Sequence, residues 1–247
     1  LVPMLNQPAV LAGTRLSPID GVNMNRAFPG SPTDSITGMI AHFVASELIP
    51  RADVVIDIHS GGSSMHMLPS VNMHDLPAGA QMDKMLEAGR EWGAPYVFIY
   101  RDVAGGGLLP SYAESQGKVT LGTEMGSKAQ FGPNILNVTY SGVQRVLRWA
   151  GHVTEAPEAA ANKVSLVAAD DVRDYIMAPR SGIYEPLIEL GDEVNADQVI
   201  GRMYDPELPF NPPHDVVAQS DGFLFARRSI PLSRQGECLA VIVRNRS

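Results

Sequence analysis

The sequence predicts a mixed α/β domain followed by a small all-β domain. Up to about residue 150, short runs of β-branched and aromatic residues alternate with stretches whose apolar residues recur at helical spacing. That alternation is typical of a sheet flanked by helices. Beyond about residue 162 the helical period disappears, and short apolar runs separated by glycines replace it, which is typical of short β-strands.

The helices of the α/β domain are predicted from their apolar spacing and their end signals. Asp34 or Ser35 can cap the first helix, which runs to about residue 48 and is closed by Pro50. Further helices are expected at about 82–92, 108–115 and 133–150, each bounded by glycine or proline.

Strands are predicted at residues 54–57, 96–100 and 119–124, where short apolar runs follow turn residues. We expect the first to be a buried strand. Residues 65–77 lack a clear period and predict a loop over the rim of an active site. We expect its histidines, His66 and His74, to be rim or solvent-exposed residues rather than metal ligands.

The composition divides the chain into three parts. Residues 1–151 form the predicted α/β domain, 152–170 a linker rich in Ala, Glu and Pro, and 171–247 the β-domain. Within the last part, residues 178–201 resemble half of a biotinyl/lipoyl-type domain, and residues 218–242 repeat the pattern weakly. A carrier domain of that type attaches its group to a lysine, and no lysine follows Lys163, so this function is excluded.

The most informative segment reads Asp57-Ile58-His59-Ser60-Gly61-Gly62 and follows the predicted strand of residues 54–57. Open α/β sheets place their active sites at the carboxyl ends of strands. A histidine there suits metal binding or proton transfer. The alternative is a structural histidine held by hydrogen bonds.

An upstream loop combines Gly13-Thr14-Arg15 with the polar run from Asp20 to Gly30. Its two arginines, Arg15 and Arg26, suit recognition of a carboxylate, because a guanidinium grips both oxygens. The alternative is a loop whose Asp and Asn side chains cap their own backbone while the arginines face water.

A downstream run, Val119-Thr120-Leu121-Gly122-Thr123-Glu124-Met125-Gly126, ends in a carboxylate between glycines. A Glu at a strand end can act as a general base and then as a general acid. The alternative is a surface Glu in a turn.

Taken in order, the pieces Asn-Arg-x-Phe-Pro-Gly, Asp-x-His-x-Gly-Gly and Gly-x-Glu-x-Gly resemble the succinylglutamate desuccinylase/aspartoacylase family. The likeness covers roughly the first 150 residues and is greatest to members of the N-acetyl-diaminobutyrate deacetylase type. It implies a zinc-carboxypeptidase-like mixed sheet flanked by helices.

The resemblance also implies an activity, hydrolysis of the amide of a small-molecule N-acyl amino acid with one zinc ion (Zn2+) activating water. It implies that His59 is a metal ligand and Glu124 the catalytic carboxylate. Arg15, Asn25 and Arg26 are implied to bind the substrate.

One departure from the family pattern concerns the other two zinc ligands, a His-x-x-Glu pair that precedes the arginine loop in the family. The pair is absent there, and the His152 to Glu155 match lies in the predicted linker, where we interpret it as coincidence. Two expectations follow: a chain that lacks an N-terminal strand-and-loop unit, or a degenerate, metal-free relative that acts as a small-molecule binding module.

Composition limits the remaining function classes. The formal net charge of −8 argues against nucleic-acid binding. The single cysteine, Cys238, excludes an intrachain disulfide and fits a cytoplasmic protein. No apolar run is long enough for a membrane span, and we expect no membrane partner. A homo-oligomer is compatible with the sequence.

Overall fold

Helices and strands alternate through the first part of the chain, as the apolar spacing predicts. The computed structural model describes residues 2–101, 106–127, 132–158 and 163–246. The α-helices of the described chain are α1 Gln7–Ala12, α2 Ile36–Phe43, α3 Ala80–Trp92, α4 Leu109–Ser115 and α5 Pro133–Trp149. The strands are β1 Val54–Asp57, β2 Met65–Met67, β3 Ser70–His74, β4 Tyr96–Tyr100, β5 Val119–Glu124, β6 Ser165–Ala169, β7 Tyr175–Met177, β8 Gly182–Pro186, β9 Glu193–Val194, β10 Val199–Tyr204, β11 His214–Val217, β12 Gly222–Arg228, β13 Leu232–Ser233 and β14 Cys238–Asn245.

The predicted ends of the helix that begins after Ser35 are confirmed. Ser35 caps α2, since its hydroxyl oxygen accepts a hydrogen bond from the Gly38 N–H at 3.2 Å. The helix continues as a π-helical turn, Val44–Leu48, and ends in the 3₁₀ turn Ile49–Arg51, which contains Pro50. Proline cannot donate the backbone hydrogen bond that a further helical turn requires.

The chain divides into two compact units. One holds the described residues of 1–57, 76–85 and 102–121, and the other holds those of 58–75, 86–101 and 122–247. In the first unit, β1 lies next to β5. The apolar side of α2 packs with Phe28, Ile49 and Ala113 in a core cluster.

Strand β1 differs from the buried strand that its sequence predicts. All four of its residues are half-buried. Among the described strands β1 stands at one end of the sheet order, where only one neighbour can cover its backbone.

In the second unit the sheet order runs β5-β3-β4-β6-β14-β12-β2, with β7 also on β14 and β9 also on β12. Strands β3, β4 and β6 are parallel to one another, whereas β5 runs antiparallel to β3 and β14 runs antiparallel to β6. The sheet is therefore mixed, as predicted. Strand β6 lies inside the stretch that the composition assigned to a linker.

The predicted loop over residues 65–77 is wrong. It forms β2 and β3, and β3 lies between β4 and β5. Both faces of β3 are covered, so its residues show no alternation of apolar and polar types. The prediction of an exposed His74 is also wrong, because that side chain is 5% exposed and its ring lies 4.6 Å from the ring of Tyr100.

The C-terminal strands show an internal repeat. In one half, β10 lies between β8 and β11 and is antiparallel to both. In the other half, β14 pairs antiparallel with β12 and β7, which correspond to β8 and β11. Likewise β8 pairs with β13, and β12 pairs with β9. The predicted duplication of short strands is thus present in the pairing, and β11-β10-β8-β13 form an antiparallel sheet.

Strands β12 and β14 each contribute to two cores. Leu224 and Ile242 pack with the residues of the four-stranded sheet. Their neighbours Phe225 and Val243 pack with Phe98 of β4. Alternate side chains of a strand point to opposite faces, so these two strands separate the two apolar clusters.

Across the described ranges, we find no helix with the length and apolar character that a membrane crossing requires.

Candidate active site

The second compact unit holds His59 beside the strand that ends in Glu124. The Thr123 hydroxyl accepts a hydrogen bond from the His59 N–H at 3.0 Å and donates one to the His59 carbonyl at 3.3 Å. The Met125 N–H donates to the same carbonyl at 2.7 Å. The two residues that flank Glu124 therefore hold the main chain of His59, whose side chain is exposed.

Glu124 is the last residue of β5 and is half-buried. It stands opposite Ser70 in the antiparallel pairing of β5 with β3. This pairing fixes the position of the Glu124 main chain at the end of β5. The sequence prediction that Glu124 ends a strand is confirmed.

The loop after His59 is closed by backbone contacts that only glycine permits. The Met65 N–H donates to the Gly61 carbonyl at 3.1 Å. A Cβ atom on Gly61 would lie 2.6 Å from the carbonyl oxygen of Met65, and Gly62 has a φ of +56°. Both values explain the pair of glycines, because a side chain at 61 would collide and one at 62 would be strained.

The far end of this loop is tied to β12. The Ser229 N–H donates to the Ser64 carbonyl at 2.8 Å, and the Ser229 hydroxyl donates to the Ser63 carbonyl at 3.1 Å. Strand β2 then pairs with β12, with Met65 opposite Arg228. A C-terminal strand therefore supports the loop that begins at His59.

The first compact unit holds Asn25 and Arg26, which lie in the 3₁₀ turn Met24–Arg26. The Asn25 Nδ2 donates to the Asp57 carboxylate at 2.9 Å, and its Oδ1 accepts from the Leu109 N–H at 2.7 Å. The Arg26 side chain is exposed and donates to the Asn25 carbonyl at 2.5 Å. The turn thus fixes the main chain of Arg26, and the guanidinium of Arg26 faces solvent.

Gly107 packs against the same turn. A Cβ atom on Gly107 would lie 2.5 Å from the carbonyl oxygen of Arg26, and the Phe28 N–H donates to the Gly107 carbonyl at 3.2 Å. Of the glycine triplet that precedes α4, Gly105 lies outside the described residues. The described part of this segment therefore packs against the backbone of the turn Met24–Arg26.

Asp20 anchors the start of the arginine loop to α2. Its carboxylate accepts hydrogen bonds from the Thr37 N–H at 2.7 Å, the Thr37 hydroxyl at 3.0 Å and the Val22 N–H at 3.0 Å. These donors, the Thr37 N–H above all, hold the pKa of the Asp20 carboxyl well below its usual range. A Cβ atom on Gly30, at the other end of the loop, would collide with the Gly38 carbonyl oxygen of α2.

Arg15, the other arginine predicted to bind substrate, lies in a bend between α1 and Ser17 and is exposed. The preceding Thr14 N–H donates to the Ala9 carbonyl at 3.0 Å. This contact ties the bend to α1 and leaves the Arg15 side chain in solvent.

The described residues do not fit a complete zinc site. Catalytic zinc in proteins is held by three protein ligands and keeps a fourth position open. Within 2–101, 106–127, 132–158 and 163–246, no three side chains of His, Cys, Asp or Glu are grouped so that they could hold a metal ion. His59 is therefore at most one member of such a set.

Comparison with known proteins identifies the fold. A family model described as the succinylglutamate desuccinylase/aspartoacylase catalytic domain matches residues 1–150. An N-alpha-acetyl-L-2,4-diaminobutyric acid deacetylase from Halomonas elongata is 35% identical over 242 residues, which cover 98% of this chain and 71% of the relative. This chain belongs to the succinylglutamate desuccinylase/aspartoacylase family.

Solved structures of succinylglutamate desuccinylase/aspartoacylase relatives match almost the whole chain. A succinylglutamate desuccinylase/aspartoacylase from Rhodobacter sphaeroides has a TM-score of 0.92 at 31% identity and covers 98% of this chain and 74% of its own. The product-bound ectoine utilization protein EutE (DoeB) from Ruegeria pomeroyi has a TM-score of 0.92 at 29% identity, with 99% and 74% covered. The predicted family and its mixed α/β fold are confirmed.

The sequence does not reveal the residues that position the candidate catalytic and substrate-binding groups of this family member. Thr123 and Asn25 bond to partners 64 and 32 residues away along the chain, and Ser229 to a partner 166 residues away. Only the local sequence indicates that Thr123 and Asp57 could matter, since Thr123 directly precedes Glu124 and Asp57 lies two residues before His59. Their bonding partners were not visible in any periodic pattern.

Proposed function

We propose that this family member is a zinc-dependent amidohydrolase that removes the acyl group from an N-acyl amino acid. The observation that carries the proposal is the placement of Glu124 between the two residues that hold the His59 main chain. A carboxylate at the end of a strand, next to a fixed histidine, can serve hydrolysis. The Halomonas relative, by its name, is a deacetylase of this substrate type.

Glu124 is the proposed general base and general acid. It takes a proton from water as the water oxygen bonds to the acyl carbon. It then gives that proton to the departing nitrogen as the carbon–nitrogen bond breaks. The products are a carboxylic acid and a free amine, and Glu124 returns to its starting charge. Such a base contributes roughly 100- to 10,000-fold to the rate.

Arg26 is the proposed partner of the substrate carboxylate. Its guanidinium is exposed on a turn that Asn25 ties to Asp57 and Leu109. A planar guanidinium can bind both oxygens of a carboxylate. Because the Asn25 amide already has two partners, we propose that Asn25 supports Arg26, and its direct substrate contact stays a prediction.

Arg15 is the proposed second cation for the substrate. Its exposed guanidinium suits either the substrate carboxylate or the oxygen that becomes negative during attack. A donor for that oxygen typically contributes about 100-fold or more. Substitution of Arg15 distinguishes the two roles, because the first raises KM and the second lowers kcat.

His59 is the one residue that we propose as a zinc ligand. When bound, zinc would polarise the acyl carbonyl and lower the pKa of a bound water. The described residues form no three-donor group, so no step of the proposed reaction is assigned to the ion.

The second candidate function is a metal-free module that binds the same class of small molecule. It is favoured by the incomplete donor set among the described residues. Such a module would keep the carboxylate-binding arginines and lose hydrolysis. Binding and turnover therefore have to be measured separately.

The test is a substrate panel on the full-length protein with added zinc. We expect N-alpha-acetyl-L-2,4-diaminobutyrate to be hydrolysed faster than N-acetyl-L-aspartate or N-succinyl-L-glutamate, with acid and amine released in equal amounts. Replacement of the substrate carboxylate by a carboxamide should slow hydrolysis. Calorimetric binding of these compounds without any hydrolysis would overturn the enzyme proposal in favour of the binding module.

A further inference from the structure

We infer that Thr123 is a positioning residue that fixes the direction of the His59 side chain next to Glu124. The inference depends on the proposed function, since it assigns a role to the neighbours of the proposed general base. Thr123 is 1% exposed, and its hydroxyl contacts both main-chain polar groups of His59. No motif in the sequence assigns this contact.

Two neighbours of Glu124 hold the main chain of His59 by hydrogen bonds outside regular secondary structure. Its N–H donates to the Thr123 hydroxyl at 3.0 Å, and its carbonyl accepts from that hydroxyl at 3.3 Å and from the Met125 N–H at 2.7 Å. Contacts on both sides of the Cα atom restrict φ and ψ together. They therefore fix the direction of the Cα–Cβ bond, although the imidazole itself is exposed.

The residue type suits this role. Threonine is β-branched, so its χ1 angle is restricted and its hydroxyl stays in one orientation. Valine has the same shape without the hydroxyl, and serine keeps the hydroxyl without the second methyl branch. Thr123→Val therefore removes the contact with His59 while filling the buried space, and Thr123→Ser restores it in part.

The same strand offers a matched control in Thr120. Thr120 is also 1% exposed, and its hydroxyl donates to the Glu114 carboxylate at 2.6 Å. Thr120→Val removes a buried hydroxyl from β5 at a similar cost in stability, but it leaves the contacts of His59 in place. A purely structural role for Thr123 predicts that both valine variants behave alike.

The experiment compares kcat, KM and amide hydrogen exchange in these variants of the full-length protein. Displacement of a catalytic group by about 1 Å can cost about 100-fold, so we expect Thr123→Val to lower kcat by about 10- to 100-fold with little change in KM. The His59 amide should lose its protection from exchange. Thr123→Ser should recover most of both, and Thr120→Val should change neither.

Two different results would overturn the role of Thr123 and the role of Glu124. If Thr123→Val matches Thr120→Val in kcat and in His59 protection while Glu124→Gln is inactive, the positioning role of Thr123 is wrong and the proposed function stands. If Glu124→Gln stays active, the proposed function itself fails. The amide-exchange measurement does not require turnover, so it tests the His59 contact in either case.

Discussion

Asn25 donates a hydrogen bond from Nδ2 to the carboxylate of Asp57 at 2.9 Å, across 32 residues of sequence. Its Oδ1 accepts from the Leu109 N–H, 84 residues further along the chain. One amide therefore joins the arginine turn to the end of β1 and the start of α4. This link holds the residue that directly precedes Arg26.

The first prediction concerns that link. Asn25→Asp would place a second carboxylate at hydrogen-bond distance from Asp57 and remove the donor, so it should destabilise the protein by about 1–3 kcal/mol. The midpoint of thermal unfolding should fall, and KM for the N-acyl substrate should rise. Asn211→Asp, at an exposed position, is the control for the added charge. Equal unfolding midpoints for the two variants would contradict the importance of the Asn25–Asp57 contact.

The second prediction concerns carboxylate recognition by Arg26. Arg26→Ala should raise KM strongly, and Arg26→Lys should not fully restore it, because lysine lacks the planar fork. The assay compares an N-acyl amino acid with its carboxamide in the parent and in each variant. Arg51→Ala serves as control, since Arg51 is an exposed arginine paired with Glu47.

If Arg26 only stabilises its own turn, both substrates should suffer alike in Arg26→Ala. A carboxylate preference that survives this substitution would refute the role given to Arg26 and leave Arg15 as the next candidate. The Arg51 control removes the general effect of losing one positive charge.

The third prediction concerns the pH dependence of the Asp20 anchor. The pKa of Asp20 is lowered by folding, chiefly by the Thr37 N–H, so its contribution to stability is present above the unfolded pKa of about 3.9. It is lost as the pH falls through the lower folded pKa. The stability difference between the parent and Asp20→Asn should therefore be constant near neutral pH and shrink below about pH 4. Urea unfolding at a series of pH values measures it, and a difference that grows on acidification would contradict the anchor.

The fourth prediction concerns metal content. Because His59 has no two companion ligands among the described residues, the polypeptide of residues 1–247 should retain far less than one zinc ion per chain after dialysis. Elemental analysis before and after dialysis measures this, with His59→Ala as the comparison. Stoichiometric zinc in the dialysed polypeptide would show that other residues, such as His66 or a partner chain, complete the site.

The helices were predictable because their ends carry local chemical signals. Ser35 and Pro50 bound α2 and its continuation, and Gly93 follows α3 directly. Capping and helix-breaking residues act within one turn, so a single sequence contains the information. The strand ends at Asp57 and Glu124 were also predictable from short segments, because an apolar run there stops at an acidic residue that is followed within a few residues by glycine.

Strand β3 was not predictable, because polar residues interrupt its buried apolar residues. Ser70 donates to Asn72 at 2.6 Å, and His74 lies against Tyr100 of the neighbouring strand. A buried strand with polar residues shows neither the alternation nor the apolar run that marks a strand. The domain boundaries at residues 151 and 170 and the biotinyl/lipoyl likeness stay predictions.

The contacts that hold the candidate site were also beyond the sequence. The links from Thr123 to His59 and from Asn25 to Asp57 join residues that are far apart along the chain. Hydrogen bonds of this kind depend on tertiary structure and leave no period or spacing. The sequence offers candidate groups for the chemistry, and the structure adds the contacts that position them.

The turnover of Glu124→Gln in the full-length protein with added zinc tests whether Glu124 is the general base. The neutral amide keeps the size of Glu124 but cannot accept a proton, so kcat should fall by roughly 100- to 10,000-fold with zinc content unchanged. Glu114→Gln is the control, since Glu114 is a buried carboxylate at the end of α4 that bonds to Thr120. It should keep nearly the parent kcat. Turnover of Glu124→Gln within about tenfold of the parent would contradict its assignment as the general base.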